Sequence, residues 1–405
     1  MNKKIGILSF YYKTFNYGAK LQAYALARYL NINGYDAEQI RFDMFVQDCA
    51  GKEKFFERIY RIIFIDGLFK KIKKKCVYIL NSCFHKCHKS EFEQIVSKRL
   101  EAFRIFSDVL TPHSKSVYNA STIAETNMLY DIFIVGSDQV WNFDMSRPEY
   151  LLTFADDDKK KISYAASVAN YRVKKQYENL FRENLNRFNS ISVREGLSVN
   201  LIKRLCNDGK NVKLVCDPTF LLSKTEWEQC VSDKLIKDKY LFCYFLGENH
   251  ASRELAIQYA KQKNLTVVSI PMVNDGFRFA DENFGDVQLN EASPEEFLSL
   301  IKFANVVFTD SFHAAVFSLI FRKQFIVFDR DKLKTMSSRI TELLSLCNLS
   351  NRYADDESKE CMDYINNLKE ISYEDDCTGF DKFISDSKNY IKESLNLDGI
   401  YNDKT

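Results

Sequence analysis

The chain has few of the residues that punctuate structure, with 13 glycines and 5 prolines among 405 residues. That scarcity excludes collagen-like and low-complexity stretches and argues against a β-sandwich, whose many tight turns use both residues. Neither Gly-x-Gly-x-x-Gly nor a Walker-type Gly-x-x-x-x-Gly-Lys occurs, which removes the usual signals for a nicotinamide cofactor or a P-loop nucleotide. No run approaches the roughly 18 apolar residues of a spanning helix, and Ile5–Leu8 is too short for a secretory signal. A cytoplasmic location is the expectation. A net charge of +2 carries no global message, and no nucleic-acid partner is expected.

Cysteine is present in an odd number, 11, without paired spacings, so reduced thiols are expected, with Cys216 and Cys243 in core strands. The Cys83-x-His85-x-Cys87-His88 cluster matches no zinc module, and no metal is inferred. Aromatics are abundant, at 33 Phe and 22 Tyr. Hydrophobic content of 46% with 28% charge describes a soluble globular protein, long enough for two or three domains.

The most informative stretch is Ala304–Asp329. A β-branched run, Val306–Thr309, gives way at Asp310-Ser311 to the helical spacing of Phe312, Val316, Leu319 and Ile320, and Phe325–Phe328 follows as a second strand. In open α/β sheets ligands bind beyond the carboxyl ends of the strands, which puts Thr309, Asp310, Ser311 and His313 at a candidate site. Backbone N–H groups at the helix start favour an anion, and His313 in the first turn is placed to exchange a proton with it. The same pattern fits a helix merely capped by Asp310 or Ser311, with His313 as a packing residue.

Similar units recur along the chain. Lys4–Phe10, Gly18–Asn33 and Asp36–Arg41 read as an opening βαβ, and strands are predicted over 131–135, 161–166, 190–193 and 212–215 with helices between them. A second series starts near Lys239, with strands over 240–246 and 265–270 and a helix over 293–303 that has Pro294 in its first turn. The fold class is therefore α/β, two facing Rossmann-like domains of GT-B type. The expected division is 1–222, 223–379 and a C-terminal helix, 380–405, returning to the first domain. A helical insertion over about 51–112 interrupts the first. Within it, Lys52–Lys75 carries nine basic and three acidic residues interleaved with aromatics. It reads as a surface-seeking segment suited to peripheral contact with the inner membrane face, or as an arm with a solvated basic side.

Four strand ends in the first half carry polar residues: Gly136–Asn142, Ser167, Arg194-Glu195 and Asp217–Thr219. Together with Asn16-Tyr17-Gly18-Ala19, the Gly-Ser-Asp-Gln-Val-Trp-Asn run at 136–142, Ser163–Ser167, Ser192–Glu195, Asp217-Pro218-Thr219 and Thr309–His313, they resemble the polysaccharide pyruvyl transferases in order and spacing from about residue 4 to 350. Where members commonly have His-Gly, this chain has His313-Ala314. The resemblance implies transfer of the enolpyruvyl unit of phosphoenolpyruvate, as donor substrate without a cofactor, to two hydroxyls of a sugar in a glycan acceptor that is lipid-linked or free. A cyclic ketal and phosphate result.

That chemistry needs an acid, cations for the carboxylate and phosphate, and an acceptor for the attacking hydroxyl. His313 suits the acid and Arg194 the bidentate anion contact, with Arg339 as a second cation and Ser311 as a neutral donor. Asp138 suits the sugar hydroxyls, with Ser137, Gln139 and Asn142 as polar contacts, Trp141 as a stacking face, and Asn16, Tyr17 and Gly18 closing the acceptor side. Asp217-Pro218-Thr219 reads as a strand-end turn rather than a site. The competing classes are a GT-B glycosyltransferase with a nucleotide-sugar donor and a non-catalytic relative of the same fold.

Overall fold

The computed structural model describes residues 3–44, 89–142, 147–168, 173–207, 210–273, 278–330, 338–354 and 360–396. The basic segment 52–75 and the cluster at 83–88 lie outside the described residues.

The first half runs β1 (Lys4–Leu8), α1 (Tyr17–Ile32), β2 (Asp36–Phe42), α2 (Lys89–Leu110), β3 (His113–Tyr118), β4 (Ile132–Val135), β5 (Lys160–Ser163), α3 (Lys175–Leu185), β6 (Ile191–Val193), α4 (Gly196–Leu205) and β7 (Val212–Leu214). After α5 (Lys224–Glu228) the second half runs β8 (Tyr240–Tyr244), α6 (His250–Lys263), β9 (Thr266–Ser269), β10 (Val287–Gln288), α7 (Pro294–Phe303), β11 (Val306–Thr309), α8 (Phe312–Ile320), β12 (Gln324–Phe328), α9 (Ser338–Leu346) and β13 (Tyr353–Ala354). Helices α10 (Glu360–Asn367), α11 (Tyr373–Asp376) and α12 (Thr378–Asn396) complete it.

Strand order is β3-β2-β1-β4-β5 in one sheet and β10-β9-β8-β11-β12-β13 in the other, with every pair parallel. The parallel pair β6-β7 extends the first sheet through bridges from Ile162 to Ser190 and from Ala166 to Val193. Each sheet therefore winds outward in both directions from its first strand, the doubly wound order with a switch point between its first and fourth strands. The α/β two-sheet expectation holds. Strands β4, β5 and β8 are buried along their whole length; β4 and β8 accordingly read as unbroken apolar runs, whereas β5 is Lys-Lys-Ile-Ser.

One apolar core passes from the first sheet through α1 into α7 and α8, joining Ile5, Ile7 and Leu21 to Phe242, Phe297 and Phe317. Tyr17 stacks on Phe297 with centroids 4.5 Å apart and donates its hydroxyl to the Ala292 carbonyl at 2.6 Å. Arg99 on α2 reaches the Pro271 carbonyl at 3.1 Å, a second tie between the halves. Helix α12 packs on the first half: Ser387 accepts the Cys216 N–H at 2.9 Å and Tyr390 donates to the Ser163 carbonyl at 3.0 Å. Among the described residues no helix is long and apolar enough to cross a membrane.

Candidate active site

The carboxyl ends of β6 and β7 from one half and of β11 from the other meet across the cleft. Ser311 caps α8, its hydroxyl accepting from the Ala314 N–H at 3.5 Å, while its own N–H donates to Thr309 Oγ1 at 3.0 Å. The next two N–H groups, of Phe312 and His313, find no acceptor among the described residues. His313 is only 8% exposed, and its Nε2 has no hydrogen-bond partner. A buried unpaired ring nitrogen beside open helix-start N–H groups is a costly arrangement, and an anionic ligand would satisfy both.

Asp217 is the centre of the network. Its Oδ1 accepts from the Thr219 N–H at 3.0 Å and hydroxyl at 2.8 Å, and its Oδ2 accepts from Arg194 Nη1 at 2.6 Å and Ser137 Oγ at 3.3 Å. His313 Nε2 stands 3.5 Å from the same Oδ2, within reach as an ion pair but not as a hydrogen bond. Burial alone would push the Asp217 carboxyl up. His313, Arg194 and the Thr219 N–H outweigh it and hold the carboxyl well below the usual carboxylate range. The strand-end turn read from Asp-Pro-Thr is present as a helical turn over Pro218–Leu221, but its carboxylate also binds Arg194. Sequence reasoning missed this role because a capping Asp and a site Asp look alike in one dimension.

Arg194 differs from the expected bidentate clamp. Its Nη1 is held by Asp217, its Nε lies 3.5 Å from Glu195 and Asp138 lies 3.7 Å from Nη2. Only Nη2, buried and without a hydrogen bond, remains for a ligand. Burial opposes the charge, yet the three carboxylates raise the guanidinium above its ordinary value. Its plane sits over the Phe312 ring at 4.7 Å, and Arg339 approaches the same ring at 6.0 Å. Arg339 has no carboxylate within ion-pair distance among the described residues. Burial, then the like charge of Arg194, lowers its guanidinium from the ordinary value. It is the less neutralised cation of the two. Arg194, Glu195, Asp217, Phe312, Arg339 and Glu342 border a small crevice between the halves.

Ser137 and Asp138, just after the end of β4, meet Arg194: Nη1 donates to Ser137 Oγ at 3.4 Å, and Asp138 Oδ1 lies 3.7 Å from Nη2. Asp138 has a φ of 70°, a left-handed conformation that Asp tolerates better than most residues. Asn142 donates to Gln139 at 3.0 Å, so these two form a local pair beside Asp138. Trp141 corrects an expectation. Its indole is 1% exposed, donates to the Tyr150 carbonyl at 3.0 Å and meets Phe181 and Phe188 edge-on, so it is a core pillar rather than an open stacking face. Tyr17 is likewise buried between the halves, and exposed Asn16 caps α1 by accepting the Ala19 N–H at 3.2 Å. Tyr17 is thereby closed to a ligand, whereas Asn16 stays at the surface as the cap of α1. Gly18 does touch the site: a Cβ built on it would lie 1.9 Å from His313 Nδ1. Among the described residues no His, Cys, Asp and Glu cluster suits a metal ion.

Solved structures similar in fold include the UDP-GlcNAc 2-epimerase of Methanocaldococcus jannaschii (10% identity, 92% of this chain and 94% of that one, TM-score 0.49) and that of Neisseria meningitidis bound to UDP-GlcNAc (11%, 97% and 99%, 0.46). The ADP-heptose lps heptosyltransferase II of E. coli is another (9%, 95% and 99%, 0.38). At these scores the likenesses carry no argument about chemistry. No curated protein matches the sequence. The profile described as Polysaccharide pyruvyl transferase matches residues 16–332, more than half of the chain, and the protein belongs to that family.

Proposed function

We propose that the protein moves the pyruvyl unit of phosphoenolpyruvate onto two hydroxyls of one sugar in a cell-surface polysaccharide precursor. The observation that carries this reading is His313, buried with Nε2 unpaired on a helix start whose N–H groups are open. Protonation of the methylene carbon by His313 makes it a methyl group and leaves positive charge at the central carbon. One sugar hydroxyl adds there, the second displaces phosphate, one hydroxyl proton replaces that lost by His313, and the other leaves with phosphate. Arg339, Arg194 Nη2 and the Phe312 and His313 N–H groups hold the donor's two anionic groups. Asp138 orients the attacking hydroxyl. The reaction is placed in the cytoplasm, with residues 52–75 as the contact to the inner membrane face if the acceptor is lipid-linked.

A nucleotide-sugar donor is less well supported. At the switch point of the second sheet, where a nucleotide's phosphates would take up backbone N–H groups, those of Leu246 and Gly247 already donate to the Asp310 carboxylate at 2.6 and 2.7 Å.

The test is phosphate release from phosphoenolpyruvate over a panel of galactose-, mannose- and N-acetylmannosamine-bearing lipid-linked acceptors. Release is expected with one acceptor class and lost in His313→Ala. Saturating phosphoenolpyruvate, at about a hundred times its dissociation constant, should stabilise the fold by about 2.7 kcal/mol. No release with any acceptor, together with an unchanged melting temperature, refutes the reading.

A further inference from the structure

We propose that Cys347 and Cys377 are a peroxide-responsive thiol pair whose disulfide fastens the C-terminal crossover of the chain to α9. Cys347 directly follows α9, and Cys377 is the single residue between α11 and α12. The Cys377 sulfur lies 3.8 Å from the Cys347 carbonyl oxygen, and the two thiols hydrogen-bond each other. The same turn holds this contact in place. Asn348, left-handed with a φ of 55°, closes α9 and donates its side-chain N–H to the Asp376 carbonyl at 3.1 Å. Two sulfurs already in contact meet the first condition for a bridge.

The two thiols differ in a way that gives each a part. Cys347 is fully buried and Cys377 partly exposed. Their shared hydrogen bond holds the Cys377 thiol below its ordinary value, against burial and the nearby Asp376 and Asp381, and pushes Cys347 up. Cys377 also stands at the start of the 19-residue α12, a place that favours a thiolate. It is therefore the sulfur a peroxide reaches, and Cys347 is the thiol that resolves it. In the first step the Cys377 sulfur bonds one peroxide oxygen as the O–O bond breaks, giving a sulfenic acid, and the other oxygen leaves as hydroxide and takes up a proton. In the second the Cys347 sulfur attacks that of Cys377, the S–O bond breaks, and the hydroxyl leaves as water with the Cys347 proton. The pair gives up two electrons and the peroxide becomes two waters. In a reducing compartment such bridges are transient and sensing rather than structural.

The position of the pair gives the bond a consequence. Up to Tyr373 the chain is tied to the second half, where the Tyr373 hydroxyl donates to the Lys323 carbonyl at 2.5 Å. From Phe380 it packs on the first, with ring centroids 4.8 Å from Phe220. Cys377 lies in the few residues between, where the chain crosses over. Arg339 and Glu342 on α9 and Phe380 and Phe383 on α12 border the same crevice. A bond from Cys347 to Cys377 closes a loop of 30 residues and joins the helix that carries these site residues to the crossover. Movement of the halves against each other is thereby restrained.

The experiment uses the full chain, reduced with dithiothreitol, freed of it, and treated with a stoichiometric amount of hydrogen peroxide. Iodoacetamide then blocks the remaining thiols, and a non-reducing digest is read by mass spectrometry. Among the 11 cysteines the main product is expected to be a cross-linked peptide holding Cys347 and Cys377, lighter by two hydrogens than the sum of its parts and lost on reduction. In Cys347→Ala the same treatment should leave Cys377 as a sulfenic acid that dimedone captures. Should that variant fail to fold, Cys377→Ser, at the part-exposed partner, should abolish the cross-link and leave Cys347 unoxidised. Wild-type protein in which Cys377 stays unmodified, or is oxidised without a cross-link, overturns the pair. The bridged form should melt several degrees above the reduced form and return to it with dithiothreitol; equal melting temperatures overturn the fastening of the crossover. None of these readouts uses phosphoenolpyruvate, so the pair stands or falls separately from the proposed reaction.

Discussion

Lys20 shows what a single residue can hide. It lies in the first turn of α1, 5% exposed, with its ammonium on Ser107 Oγ at 2.8 Å and 5.5 Å from the centre of the Tyr11 ring. No carboxylate pairs with it among the described residues, and burial lowers its ammonium to about 8. The sign follows from linkage. Above the unfolded value near 10.4 both states are neutral and Lys20 costs nothing; as pH falls toward 8 the unfolded chain binds a proton the folded one refuses, and stability drops. Below 8 the penalty is complete. Lys20→Met should therefore raise stability at pH 7 by on the order of 2 kcal/mol, the desolvation relief less the lost hydrogen bond. It should also flatten the dependence between pH 8 and 10.4. Urea unfolding at pH 7 and pH 10 checks this, and equal stability of the two proteins at pH 7 would refute it. Neither this burial nor the centrality of Asp217 is legible in the sequence, because both depend on which helix or loop packs opposite. His313 was legible, since a histidine in the first turn after a buried parallel strand occupies a place that topology reserves for ligands. Trp141 misled for the same reason in reverse: the motif fixed its address just after the end of β4, but the direction of its ring is set by Phe181 and Phe188.

Elements were legible where burial is two-sided. The apolar runs of β4, β8 and β11 announce central strands, and the Ser293-Pro294-x-Glu296 sequence announces α7, whose capping box is complete in the structure. Edge strands were not. β3 reads His-Ser-Lys-Ser-Val-Tyr with three consecutive exposed residues, and β10 and β13 are two residues each; such strands exist because a neighbour offers a free edge, not because of their own composition. The approach of α1 to α8 belongs to this scale as well. The two helix starts come from different halves and meet at Gly18 and His313, so the absence of one side chain sets their spacing. Gly18→Ala should force the imidazole or the whole first turn of α1 aside. We expect at least a tenfold loss of kcat, in line with the cost of misplacing a reacting group by about 1 Å, while circular dichroism stays that of the wild type. Undiminished kcat would mean that the close contact does not set the working position of His313.

At the scale of the molecule, the site exists only where the halves join. His313 and Phe312 come from the second half, and Arg194, Asp217 and Ser137 from the first. Glu342 on α9 crosses the cleft to accept the N–H of Gly196 at 2.7 Å, capping a helix of the first half that has no side-chain cap of its own. Because the apolar core is shared, with Tyr17, Leu21 and Trp227 in one cluster with Phe297 and Phe317, separating the halves would expose large aromatic surface on both. Two domains joined by a thin polar contact melt separately; two that share a core should not. Differential scanning calorimetry is expected to give one endotherm whose calorimetric and van't Hoff enthalpies agree. Two resolved transitions would show that the halves are independent, and would then require the network of Asp217 and His313 to be rebuilt at each closure rather than held ready between turnovers.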